Sequence, residues 1–173
     1  MSFIYSKKMG YIYFELNDRK LKINPNDSED IYIWFDTHVG RKIDKPYWKP
    51  LKLKKDLYYR VCVGNQKYYL LHRVVYYANN QDWDIDLEPR KNQIDHIDRD
   101  KFNNNIGNLR PANVEQNCQN RSNVKGYHWN PAQKRFIVQI GFNSNPQKYI
   151  GSFVKEEDAR QAYLKAKELY HEW

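Results

Sequence analysis

Hydrophobic residues recur along this chain mostly in short alternating bursts, and only rarely at helical spacing. Aromatic and β-branched runs from Tyr11 to Phe14 and from Ile31 to Phe35 predict strands, separated by the turn-prone stretch NPNDSED. Leu57 to Val63 and Gln66 to Leu71 predict two more, joined at Gly64-Asn65, a hairpin signal. Leu71, Val74, Val75 and Ala78 then fall at i, i+3, i+4 and i+7, one face of a short helix. Between these elements, Arg41 to Lys55 holds seven Lys or Arg, one Asp and two prolines. The prolines argue against a continuous helix. A solvated loop is the ordinary form of such a run, with phosphate contact as the other reading.

Polar residues dominate Asn92 to Arg121, NQIDHIDRDKFNNNIGNLRPANVEQNCQNR, yet Ile94, Ile97, Ile106, Leu109 and Val114 are spaced to anchor it to a core. The pattern predicts a short strand near Gln93–His96, a polar loop, a second strand near Leu109–Ala112, and a helix capped by Asn113. Further on, GYHWNPAQKRFIVQIGF and QKYIGSF predict short strands. Ala159, Ala162, Tyr163, Ala166 and Tyr170 trace a helix face, with Glu156, Glu157 and Asp158 in the first turn, where the helix dipole favours acids.

Composition narrows the partner. Lys and Arg number 29 against 21 Asp and Glu, and the +8 charge points to a polyanion such as nucleic acid. Between Gln116 and Lys155 there is no Asp or Glu, whereas Arg121, Lys125, Lys134, Arg135, Lys148 and Lys155 are basic. Aromatics make up 16% of the chain, enough for a core, for base stacking or for both. Cys62 and Cys118 lie far apart in no CxxC pair, so they build neither a disulfide framework nor a four-cysteine zinc site, and each reads as a buried free thiol. With no apolar run of membrane-spanning length and no secretory signal, the expectation is an intracellular, non-secreted protein with no membrane partner, in the cytoplasm of a host cell. The aspartates of QDWDIDLEPR are not a calcium loop: counted from Asp82, Leu87 stands where Gly is required and Gln93 where Glu is.

Asp95-His96, NNNIGNLR and EQNCQNR together resemble the ββα-metal motif of HNH endonucleases, in the subgroup common among phage and intron homing enzymes. The upstream LHRVV is similar to the HRLV-type helix that precedes the motif there. The resemblance implies a magnesium-dependent endonuclease, with manganese as a plausible substitute, no zinc and no small-molecule cofactor. It would cut double-stranded DNA to 5′-phosphate and 3′-hydroxyl ends. Asp95 and Asn117, which lies 22 residues later, would hold the metal, with Asn120 as the less favoured substitute. Such oxygen donors suit Mg²⁺ or Mn²⁺. With an ordinary pKa of about 6.5, His96 is suited to act as general base. Asn108 is the middle residue of the triplet, expected to brace the loop and orient His96. On a regular strand, neighbours such as Asp95 and His96 point to opposite faces; the resemblance implies a bend that brings both to one phosphate. His72 and Arg73 either contact phosphate or tie the helix to the motif. Arg73, Arg110 and Arg121 are DNA-binding candidates.

Three strands and a helix over Gly126 to Tyr170, carried by GYHW, RFIVQI, YIGSF and EEDARQAY, resemble the DNA-binding domain of plant ethylene-response factors. In that family the sheet enters the major groove, which makes Trp129, Arg135, Gln139 and Tyr149 candidates, with Lys125, His128 and Lys148 beside them. Trp129 and Phe136 also suit a core. This sheet carries fewer arginines than the plant domains, and Val154 stands where a polar residue usually caps the helix.

The expected architecture is thus α+β: antiparallel strands with a ββα-metal (HNH) motif at about 92–121, followed by a small three-stranded sheet plus one helix. A ββα unit of this size without zinc needs support from the upstream hairpin and helix. Residues 1–122 are therefore expected as a nuclease domain and 124–173 as a DNA-binding domain. A monomer is the simplest expectation. A DNA-binding regulator that does not cut and an RNA-binding module are the competing classes.

Overall fold

The computed structural model describes residues 6–38, 41–88, 90–121, 124–141 and 147–171. It is an α+β fold of several antiparallel sheets and a few helices. The chain divides into two compact units, Met1–Pro111 and Ala112–Trp173. That division falls upstream of the expected boundary, whose residues Ser122 and Asn123 lie outside the described set.

Five strands open the first unit: β1 (Ser6–Lys8), β2 (Tyr11–Leu16), β3 (Arg19–Asn24), β4 (Asp27–His38) and β5 (Arg41–Pro50), in sequential sheet order. Alternation sorts their side chains. Ile12, Phe14, Leu16, Leu21, Ile23 and Ile31 line the core, while Lys22 projects from the other face against the rings of Tyr11, Tyr32 and Trp48. The run RKLKIN forms β3, which the sequence reading passed over because two lysines interrupt its apolar pair. Asn17 and Asp18, both at positive φ, turn β2 into β3.

The proline-containing basic run is strand rather than the expected loop, for a positional reason. β5 is an edge strand, where a missing amide hydrogen breaks no ladder on the open side. Pro46 precedes Tyr47 where the pairing shifts register between Phe35 and Thr37.

A second sheet of β6 (Leu53–Lys55), β7 (Tyr59–Cys62) and β8 (Tyr68–Leu70) includes the expected hairpin. Gly64, Asn65 and Gln66 all take positive φ at its turn. Asn17 donates to the Val63 carbonyl at 2.6 Å, tying the two sheets together. Helix α1 (Leu71–Asn79) then buries Leu71, Val74, Val75 and Ala78 in the same core, as the spacing predicts. Ile85, Ile94 and Leu109 complete that core. Strands β9 (Gln93–His96) and β10 (Leu109–Ala112) pair in a two-stranded sheet, with a single 3-10 turn at Ile106–Asn108 between them.

The second unit begins with the short helix α2 (Val114–Gln119), started by a reciprocal capping box between Asn113 and Gln116. Three antiparallel strands follow, β11 (Tyr127–Asn130), β12 (Arg135–Ile140) and β13 (Lys148–Phe153), with α3 (Glu156–Tyr170) against one face. Val138, Ile140, Ala159, Tyr163 and Ala166 form its core. Gly126 takes φ +78-like left-handed backbone at 76° and lies under the Tyr163 ring, where an added Cβ would come within 2.0 Å of Cδ2. The N-cap of α3 is Lys155, without a side-chain cap, and Val154 is exposed. Phe142, the end of one expected strand, lies outside the described residues.

Both cysteines are free thiols, and neither is the buried thiol expected. Cys62 points away from the core between the buried Val61 and Val63, and Cys118 is exposed. No helix among the described residues is long and apolar enough to cross a membrane.

Candidate active site and nucleic-acid surface

The end of β9 places two titratable side chains in the interior of the first unit. Asp95 is 5% exposed and His96 6%. A buried carboxylate needs a charged or hydrogen-bonding partner. Asp95 has one in Arg110 on β10, whose Nε and Nη2 both donate to Oδ2, at 3.1 and 3.0 Å. Arg110 is therefore an ion-pair partner of the site as well as a DNA-binding candidate.

His96 ends its strand at a tight turn, with the Arg99 amide donating back to the His96 carbonyl at 2.9 Å and Arg99 at positive φ. Its ring sits among other rings, edge-on to His72 at 5.0 Å and stacked near Tyr58 at 6.2 Å. Tyr58 also meets His72 at 5.3 Å, and the Lys101 ammonium lies 5.2 Å from the Tyr58 ring centre. Burial, with the neighbouring His96 and Arg73 adding to it, pushes the His72 pKa down to about 3, so His72 is a neutral ring at physiological pH.

The hydrogen bond on the His96 ring comes from Asn104, whose Oδ1 lies 3.1 Å from Nε2. Asn104 is 2% exposed. Sequence reading missed it: the run of three asparagines, Asn103 to Asn105, was visible, but nothing there says which member turns inward. Asn108 braces the loop by accepting from the Asp98 amide at 3.0 Å and donating to the Asp98 carboxylate and the Asn103 carbonyl, at 2.9 and 2.8 Å. The loop-bracing geometry expected of Asn108 is present, while the direct contact to His96 belongs to Asn104. Desolvation acts against Asp98 ionising, yet hydrogen bonds from Asn103, the Asp100 amide and Asn108 hold its carboxyl below the usual range.

Arg73 is 7% exposed and holds three carbonyls: Asn92 and Ile85, each at 2.6 Å, and Leu87 at 3.4 Å. Its guanidinium also lies 4.7 Å from the Trp83 ring centre. Of the two roles open to it, this geometry is that of a tie between α1 and the segment leading into β9.

Chemistry alone suits Asp95 to a hard divalent cation, since carboxylate oxygen is the donor such ions take. Arg110 engages one of its oxygens, Oδ2, and a cation would share this carboxylate with a guanidinium. Among the described residues no three His, Cys, Asp or Glu side chains gather as a metal-holding group. Asn117 and Asn120 belong to the second unit, on and just after α2.

The second unit sorts its own candidates by strand register. Residues paired across antiparallel strands share a face. His128 pairs with Ile137, Asn130 with Arg135, and Gln139 with Tyr149. These alternate with Phe136, Val138 and Ile140, which face α3, so His128, Arg135, Gln139 and Tyr149 share the face opposite the helix. Trp129 pairs with Phe136, whose ring lies 4.8 Å away, and Lys148 pairs with Ile140 and donates to Tyr170 on α3 at 2.8 Å. Those two lie on the helix side, Trp129 at its exposed margin. Phe136 packs against the core. Arg121 and Lys125 are exposed outside the strands.

Compared with protein-family models, with curated proteins and with solved structures, the chain matches none.

Proposed function

We propose that the chain is a metal-dependent DNA endonuclease of the HNH type. The observation that carries this reading is the pair of adjacent buried groups at the end of β9: a carboxylate, Asp95, and an imidazole, His96, in a chain of net charge +8. A buried imidazole ringed by aromatic neighbours and held by a single buried amide is costly to maintain as packing alone.

In this reading His96 takes a proton from the attacking water, a role its ordinary pKa range suits near neutral pH. Asp95 is the carboxylate ligand of the divalent ion, and Asn117, the second oxygen donor, follows from the sequence resemblance. When bound, Mg²⁺ supplies charge neutralisation at the phosphate and at the departing 3′ oxygen. Asn108 keeps the loop closed through Asp98. The outer sheet face of the second unit, with His128, Arg135, Gln139 and Tyr149, contacts DNA and selects the site.

The test is a supercoiled-plasmid assay with Mg²⁺. His96→Ala abolishes cutting while gel-shift binding persists; undiminished cutting removes His96 from the mechanism. EDTA stops the reaction and Mg²⁺ restores it, and full activity in chelator rules out the metal assignment. The second reading is a DNA-binding protein that does not cut. The Asp95–Arg110 pair favours it, because a guanidinium already neutralises the carboxylate. Plasmid that stays supercoiled with Mg²⁺ or Mn²⁺, while still shifted on a gel, selects that reading.

A further inference from the structure

We propose that Asn104 is a positioning residue that fixes His96 as its Nε2–H tautomer, making Nδ1 the atom that accepts the proton of water. This rests on the nuclease reading for its chemistry, though not for its geometry.

The argument runs through the Asn104 amide. Its Nδ2 donates to the Phe102 carbonyl at 3.2 Å. A carbonyl only accepts, so the nitrogen end of the amide must face Phe102. The oxygen end then faces His96, with Oδ1 3.1 Å from Nε2. An amide oxygen also only accepts, so in the neutral ring Nε2 must carry the hydrogen, and the basic lone pair belongs to Nδ1. At 2% exposure, Asn104 leaves water no room to substitute for it, and reversing either group would set donor against donor or oxygen against oxygen.

His72 and Tyr58 contact the ring by face and edge, and these contacts restrict its tilt without selecting a tautomer. The charged groups around the ring are Asp98, Asp95 with its partner Arg110, and Lys101 on Tyr58. None of their printed contacts replaces the hydrogen bond at Nε2. In the reaction, the water proton passes to Nδ1 as the water oxygen bonds to phosphorus. The P–O3′ bond breaks with its electron pair on the 3′ oxygen, which solvent protonates.

The experiment is ¹H–¹⁵N long-range correlation on the full-length ¹⁵N-labelled chain at pH about 8, where an ordinary imidazole is neutral. The His96 signals are identified by their loss in His96→Gln. The expected pattern is a protonated-type Nε2 and a lone-pair-type Nδ1. Asn104→Leu, which has the size but no acceptor, should give mixed tautomers, with kcat on plasmid lower by roughly 10²-fold and KM unchanged. Asn104→Asp, which keeps an oxygen toward Nε2, should restore the tautomer and most of kcat. A wild-type spectrum with the hydrogen on Nδ1 overturns the proposal whether or not the leucine variant folds. So does an Asn104→Leu protein with unchanged tautomer and rate. Failure of the nuclease reading is seen separately, as His96→Ala that still cuts.

Discussion

At the level of single residues, this molecule places polar groups in its interior and satisfies them one by one. Arg73 is the clearest case, with a buried guanidinium whose donors meet three backbone carbonyls. Arg73→Met should destabilise the chain by about 2–4 kcal/mol, because those carbonyls lose their donor. Chemical denaturation checks this, and a loss below about 0.5 kcal/mol would show that the clasp is not structural. A phosphate-binding role predicts the reverse pattern, weaker DNA binding at unchanged stability. Sequence alone exposed Asp95, His96 and Asn108 as a set, because residue type and spacing agree at separated places. It left Asn104 hidden, because inward direction within an asparagine run depends on how the Asp98 turn closes.

Among the elements, caps and turns decide more than propensity. The Asn113–Gln116 box starts α2, a helix of six residues, too short to hold itself by its own hydrogen bonds. Asn113→Ala should cost about 1 kcal/mol and fray α2, which amide hydrogen exchange can read. If exchange in α2 is unchanged, the cap is dispensable. Gly126→Ala should be far more damaging to the second unit, since the left-handed backbone and the Tyr163 ring both exclude a Cβ. A variant with native thermal stability would contradict that packing. The cap, the hairpin turn and the helix faces were readable from local chemistry. β3 and β5 were not: lysines mask the alternation of one, and edge position alone makes the prolines of the other tolerable.

For the whole molecule, pH and salt are the informative variables. His72 is neutral when folded, with its pKa pushed down to about 3 from an ordinary 6.5. Between those values the unfolded chain binds the extra proton, so stability is complete above pH about 6.5 and falls as pH drops toward about 3. His72→Phe should flatten that slope by up to one proton, and an unchanged slope would mean that His72 ionises freely in the fold. For the basic second unit, Arg135→Ala combined with His128→Ala should weaken DNA binding and shallow its salt dependence. Equal binding at every salt concentration would remove the outer sheet face as a contact surface.

Residue order by itself determined the α+β class, the strand and helix signals with local causes, and the identity of Asp95, His96 and Asn108 as residues of interest. These depend on periodicity, turn chemistry and spacing, which are properties of neighbours along the chain. Tertiary structure alone decided that Arg110 pairs with Asp95, that Arg73 clasps carbonyls, and that Asn104 meets the His96 ring. Each of those contacts joins segments brought together by folding, where burial removes water and forces every polar group to find its partner inside the protein.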